Sequence, residues 1–266
     1  MKSSIFVAVE ADVQPEGLGG DFEKNARFIS DLGFDGADLS IMNLDQVDRR
    51  KVKEIIKRYQ LAVPAVASGR YFLKHGLSIS TSNRDIRKKT MDKIEEFVGF
   101  AGELGSNFVI GPIQGEYERS YEEGFNYMRD SLQQCAKFAE RQGVLLLIEP
   151  MNRFIPAIIR TIGEGVKMVD KVGSPSVRLV ADTFHMNIEE RSMTESIKQA
   201  KGYIAQMHFC DNNRRAPGQG HINFHKIAEA LKEIKYEGFV SAEILPEPDP
   251  LTAAKLSIEL IKSLPY

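Results

Sequence analysis

A chain of 266 residues with 42% hydrophobic content and a formal charge of −2 can bury a large core and carries no basic footprint for nucleic acid. No stretch reaches the roughly 18 uninterrupted apolar residues of a membrane span, and the opening apolar run is too short and too soon acidic for a signal peptide. Cys135 and Cys210 make no disulfide scaffold, so a reducing cytoplasm is expected, with both thiols acting as small buried hydrophobes.

Residues 5–10 read as a first strand, 12–20 as a loop rich in glycine and acid, and Phe22–Leu32 as a helix ended by Gly33, where a residue without Cβ sits easily. A short strand at 36–39 carries Asp38; a helix over 45–59 and a strand over 62–67 follow. Residues 68–83 form a long predicted loop before a helix over 84–104 that stops at Gly105. Strand four is placed at 107–111 and a long helix at 117–141, stopped by Gly143. The aliphatic run 144–148 is buried-strand material that ends in Glu149 and Pro150. Helix Ile162–Val172, strand Val177–Asp182, helix 194–201, strand 204–208, helix 224–234 with Asn223 as N-cap, strand 239–243 and helix 251–263 complete the chain. Eight strands alternate with eight helices and no Ser/Pro/Gly-rich linker intervenes. The predicted architecture is therefore α/β, a single (β/α)8 TIM barrel spanning 1–266. A doubly wound sheet would need a dinucleotide-type glycine turn, for which residues 17–20 are too loose a match.

Four successive strands end in a possible metal ligand: Glu149, Asp182, His208 and Glu243, at intervals of 33, 26 and 35 residues. In a parallel barrel such strand ends converge on one mouth. Three carboxylates brought together repel one another, and a divalent cation removes that cost. Three oxygen-donor residues and one nitrogen suit Mn²⁺, with Co²⁺ or Mg²⁺ as alternatives; there is no thiolate set for structural zinc. Taken singly, Asp182 would read equally well as a helix cap and His208 as a hydrogen-bonded core residue; four candidates on four successive strands favour the metal site. His185 and the run Asp211, Asn212, Asn213, Arg214 and Arg215 lie just beyond strands six and seven, where an imidazole and a guanidinium suit the oxygens of a polyol. Asp211 is expected to be a solvated turn residue, and His75, His221 and His225 surface or loop residues.

At these positions the chain resembles the sugar-epimerase branch of the xylose-isomerase-like barrels, the family of D-tagatose and D-psicose 3-epimerases. The resemblance spans the barrel and is carried by Ile148-Glu149-Pro150-Met151-Asn152-Arg153-Phe154, Asp182-Thr183-Phe184-His185-Met186-Asn187, His208, Asn213-Arg214-Arg215-Ala216-Pro217-Gly218-Gln219-Gly220 and Ala242-Glu243. It implies that Glu149, Asp182, His208 and Glu243 bind the metal, that His185 and Arg214 hold substrate oxygens, and that Glu149 and Glu243 act as acid and base on opposite faces of the carbon next to a ketone. The expected partner is a small-molecule keto-sugar or keto-sugar acid, and a homo-oligomer is expected because family members are often dimers or tetramers. Two departures matter. Ile155 stands where the free-ketose enzymes usually carry a substrate-binding glutamate, and with no tryptophan the family's aromatic wall must be built differently. With Arg70, Lys74 and Arg215 on candidate mouth loops, this points to a carboxylate-bearing substrate anchored by Arg70 and Arg215. The members acting on 5-keto-L-gluconate in inositol breakdown, which interconvert it with D-tagaturonate, match best. Other readings are a ketose 3-epimerase, a sugar isomerase, an inosose dehydratase and a catalytically silent sugar-binding barrel. The endonuclease IV branch would need a histidine-rich zinc cluster and a basic face, which five histidines and the net charge argue against.

Overall fold

A computed structural model describes residues 1–12 and 16–266; the rest of the glycine- and acid-rich loop expected at 12–20, at 13–15, lies outside the described residues. In chain order the elements are β1 (Lys2–Ala8), α1 (Phe22–Leu32), β2 (Gly36–Ser40), α2 (Arg49–Arg58), β3 (Ala65–Ala67), α3 (Gly69–Lys74), α4 (Arg84–Glu103), β4 (Asn107–Ile110), α5 (Tyr121–Gln142) and β5 (Leu146–Ile148). Then come α6 (Ile162–Val172), β6 (Val177–Asp182), α7 (Thr183–Glu189), α8 (Met193–Gln199), β7 (Ile204–Phe209), α9 (Phe224–Glu233), β8 (Phe239–Ala242) and α10 (Pro250–Ser263). Each strand pairs in parallel with its sequence neighbours, and β8 returns to β1, so the sheet closes into a barrel. The (β/α)8 architecture is the one the alternation predicts.

Local chemistry explains where the boundaries move. Asp48 accepts a hydrogen bond from the Lys51 amide at 3.0 Å and starts α2 there, leaving Leu44–Gln46 as a separate 3-10 turn. Ser120 caps α5 in the same way, so that helix begins at Tyr121 rather than 117. Pro64 has no amide to donate, and β3 begins only after it. β1 ends at Ala8; Glu10, expected as its last residue, instead accepts the Met42 and Asn43 amides at 3.0 and 2.6 Å. Two short helices were not legible: α3 inside the long loop before α4, and α7 immediately after β6.

Most of the core lies between sheet and helices, where Ile5, Leu39, Phe97, Phe108 and Phe209 are among the largest fully buried side chains. The barrel interior is divided. Ala65, Val109, Leu147 and Val180 form an apolar cluster contributed by β3 to β6. On the other side the buried residues Ser4, Asp38, Gln206 and Ser241 come from β1, β2, β7 and β8.

Candidate active site and metal centre

Because all eight strands run in parallel, their C-terminal ends share one rim. Glu149 follows β5, Asp182 closes β6, His208 lies near the end of β7 and Glu243 follows β8; one ligand atom from each falls within 4.8 Å of all the others. Asp182 and His208 face each other in register. His208 Nδ1 lies 3.1 Å from Glu149 Oε1 and 2.9 Å from Glu243 Oε2, and the Phe6 ring meets the imidazole edge-on at 5.0 Å. Asp182 serves two ends at once. Its Oδ1 accepts the Phe184 and His185 amides at 2.7 and 3.1 Å, capping α7, while Oδ2 sits 2.7 Å from Arg214 Nη1. The helix-cap and cluster readings of that residue are therefore both realised.

Burial makes the electrostatics strong. It pushes the Glu243 carboxyl up to about 8, against the pull of Arg214 and with Glu149 adding its own charge. Burial alone would lower His208, but Glu243 and Glu149 hold it well above the ordinary histidine range. Burial would likewise raise Asp182, yet the Arg214 guanidinium holds it well below the usual carboxylate range. The four side chains fit a divalent cation: they offer hard carboxylate oxygens and one imidazole nitrogen, His208 Nδ1, that faces the Glu149 and Glu243 carboxylates. Cys210 lies close by, its Sγ 3.8 Å from Asp182 Oδ1, but burial pushes its thiol well up, so it offers no thiolate. Cys135 is buried in α5, as expected of a core thiol.

A cavity of about 330 Å³ opens over the cluster and is lined by Glu149, His208, Glu243, His185 and Arg214. Asn152 Oδ1 accepts the Phe154 amide at 3.0 Å, which leaves its Nδ2 to donate to His185 Nδ1 at 2.8 Å. That assignment puts the histidine proton on Nε2, a buried atom with no partner among the described residues. Arg214 donates through Nε to Glu16 at 3.0 Å and lies 3.0 Å from Glu243 Oε2, with the Phe184 ring at 5.1 Å. The guanidinium is thus shared among Asp182, Glu243 and the loop after β1.

The remaining expectations divide. Arg70, exposed on α3, lines the cavity, and so does Ile155. Phe6, Phe154 and Phe184 are the aromatic side chains that line the cavity. Lys74 is exposed and is not part of the lining. Arg215, expected as a second anion anchor, is not brought there either: its Nη2 pairs with Glu247 at 2.7 Å, both side chains being about half exposed. Asp211 corrects the expectation of a solvated turn. It is fully buried, and its carboxylate accepts the amides of Asn212, Gly218 and Ile222 at 2.9, 2.9 and 3.0 Å, which folds the loop that carries Arg214. His75, His221 and His225 are exposed, as expected.

Two positions escaped the sequence reading altogether. Gln114 donates to the Ile110 and Glu149 carbonyls at 3.2 and 2.7 Å and accepts the Ile159 amide at 3.0 Å, tying the turn after β4 to the one after β5. At Gly111 an added Cβ would lie 2.8 Å from Glu149 Oε2. The Gly-Pro step after β4 was its only signal.

Comparison with known proteins agrees with the barrel fold. The sequence pattern of the family described as "Xylose isomerase-like TIM barrel" matches residues 26–264. A probable ketose 3-epimerase of Synechocystis sp. is 27% identical over 218 residues, 79% of this chain and 74% of that relative. A 3-dehydro-D-guloside 4-epimerase of Escherichia coli is 25% identical over 252 residues, 89% and 92% of the two chains. The crystal structure of a 3-keto-D-glucoside 4-epimerase from E. coli superposes with a TM-score of 0.84 at 24% identity, covering 99% of both chains, which shows a shared fold.

Proposed function

The chain belongs to the xylose isomerase-like TIM-barrel family, and on that footing we propose that it is a divalent-metal-dependent carbohydrate epimerase inverting the carbon next to a ketone in a keto-sugar or keto-sugar acid. The observation that carries the reading is the convergence of Glu149, Asp182, His208 and Glu243 within 4.8 Å at one rim, beneath a cavity. Those four would hold the cation, Mn²⁺ by donor set. When bound, it would supply the positive charge that makes a proton next to a ketone removable at neutral pH. Glu149 and Glu243 follow β5 and β8, non-adjacent strands of the barrel, so they approach a bound sugar from different sides. One glutamate takes the proton and the other returns one to the opposite face. The His185 Nε2–H is poised to donate to a substrate oxygen, and Arg214 to hold a second one. Phe6, Phe184 and Ile155 keep water from the reacting carbon.

Within this class we favour a substrate carrying a carboxylate, 5-keto-L-gluconate interconverted with D-tagaturonate being the leading candidate. Arg70 on the cavity wall and the apolar Ile155 in place of a glutamate support it. The near full-length similarity to a 3-dehydro-D-guloside 4-epimerase places glycosides of keto-sugars in the test panel beside free ketoses. The deciding experiment is proton NMR of keto-hexonates, free ketoses and a keto-glycoside in D₂O with Mn²⁺-loaded protein. Loss of the signal next to the carbonyl, with incorporation of deuterium and no loss of water, identifies both reaction and substrate. Loss of water would indicate a dehydratase, and no exchange with any compound would sink the reading.

A further inference from the structure

One pleat beneath the acid–imidazole cluster lies a carboxylate that no step of the proposed epimerisation uses. Asp38, on β2, is fully buried, and burial raises its carboxyl above the ordinary range. Its Oδ1 accepts a hydrogen bond from Gln206 Nε2 on β7 at 2.6 Å, and its Oδ2 accepts one from the Ser241 hydroxyl on β8. In the closed barrel β2 is adjacent to neither of those strands, so the carboxylate reaches across the interior. Gln206 precedes His208 by two residues, and Ser241 precedes Glu243 by two. Side chains two apart on a strand share a face, so each partner of Asp38 stands directly below a member of the cluster. β7 and β8 are neighbours, with His208 opposite Ser241. The β3 to β6 half of the interior is filled by Ala65, Val109, Leu147 and Val180, and apolar side chains would fill this half at lower desolvation cost than a carboxylate.

We infer that Asp38 is a positioning residue for the metal centre: by holding Gln206 and Ser241 together it sets the spacing of β7 and β8, and with it the placement of His208 against Glu243. This rests on reading the four rim side chains as cation ligands. The tie acts through hydrogen bonds rather than charge. Asparagine at 38 would still accept from Gln206 and would donate to the Ser241 hydroxyl; alanine would do neither.

The test is the Mn²⁺ dissociation constant of metal-free, full-length protein, read from the free-ion EPR signal, with the melting midpoint of each apoprotein measured alongside. Wild type is compared with Asp38→Asn, Asp38→Ala and Ser241→Ala. Groups hydrogen-bonded directly to metal ligands typically change affinity by about 10- to 100-fold, and the lower end of that range is taken for a tie that acts through the strands. Asp38→Ala and Ser241→Ala are therefore expected to bind Mn²⁺ at least ~10-fold more weakly, and Asp38→Asn to stay within about threefold of wild type. If Asp38→Ala fails to fold, Ser241→Ala, which removes one hydroxyl, decides. Unchanged Mn²⁺ affinity in the alanine variants, even with lowered midpoints, would reduce Asp38 to a structural residue and overturn the inference. Asp38→Asn as weak as Asp38→Ala would overturn it too, by showing that charge is what matters. A wild type that binds Mn²⁺ but exchanges no substrate proton would sink the epimerase reading and leave this one standing; a wild type that binds no Mn²⁺ would sink both.

Discussion

Gly111→Ala places a single methyl group against the carboxylate that the proposed mechanism can least spare. The added carbon would stand 2.8 Å from Glu149 Oε2 and 3.7 Å from Met151 Sδ. Ordinary contact begins near 3.4 Å, so the oxygen must retreat by roughly 0.6 Å. It has little freedom to do so without loss. The Glu149 carbonyl is held by Gln114 at 2.7 Å, and its Oε1 lies 3.1 Å from His208. Catalytic groups tolerate displacements of about 0.5 Å, and a 1 Å error costs about 100-fold. The expected result is a fall in the rate of solvent-deuterium incorporation of ~10-fold or more, with Mn²⁺ affinity also reduced. Stability should change by only about 1 kcal/mol, the lower end for one methylene of overpacking. Deuterium exchange by NMR, Mn²⁺ titration and a thermal melt separate these effects. A Gly111→Ala protein that exchanges and binds Mn²⁺ like wild type would show that the position of Glu149 Oε2 is not what the chemistry depends on.

The other expectations use different groups. Glu243→Gln keeps the size of the side chain and removes its acid, so deuterium exchange should fall by ~100-fold or more while circular dichroism is unchanged; a sugar-binding barrel would lose little affinity for its ligand. Asn152→Ala removes the donor that fixes the His185 tautomer; losing one buried hydrogen bond of about 1.4 kcal/mol predicts KM raised ~10-fold with kcat less affected, and an unchanged KM would remove His185 from substrate binding. Mn²⁺ affinity should depend on pH with a definite sign. Glu243, pushed up to about 8 by burial, and the raised His208 must both give up protons before they can act as ligands. Affinity is therefore lowest in acid, rises ~10-fold per pH unit for each proton displaced, and levels off only once both groups have lost their protons. EPR titrations at three pH values test this, and a flat profile would refute it.

The fold was legible because its signals are local and repeated. Helix, glycine and strand recur, and short aliphatic runs bounded by glycine or proline suit strands buried on both faces. What sequence misplaced were boundaries fixed by a competing local contact. Asp48 and Ser120 side chains each start a helix later than the hydrophobic period suggests, and the carboxylate of Glu10 leaves β1 to hold the amides after β2. The short helices α3 and α7 have too few residues for an apolar period to declare itself.

The rim cluster was legible for a related reason: a strand's period of two and a parallel register leave a terminal side chain almost no choice of direction. Loops lack that constraint, and the neighbours Arg214 and Arg215 show the consequence. Both are guanidiniums on the same turn, and only the family resemblance, not residue type, set Arg214 apart from Arg215. Arg214 adopts φ 63°, a left-handed conformation uncommon outside glycine, and its carbonyl accepts the Leu245 amide at 2.7 Å from the loop after β8. The turn that allows this is folded by Asp211 through amides up to 11 residues along the chain. One residue is thereby driven into the cluster and the next out to Glu247. Which arginine faces the cavity is decided by a buried aspartate reading like a surface turn, and by a loop residue thirty-one positions on; no periodicity in the loop itself could have carried that information.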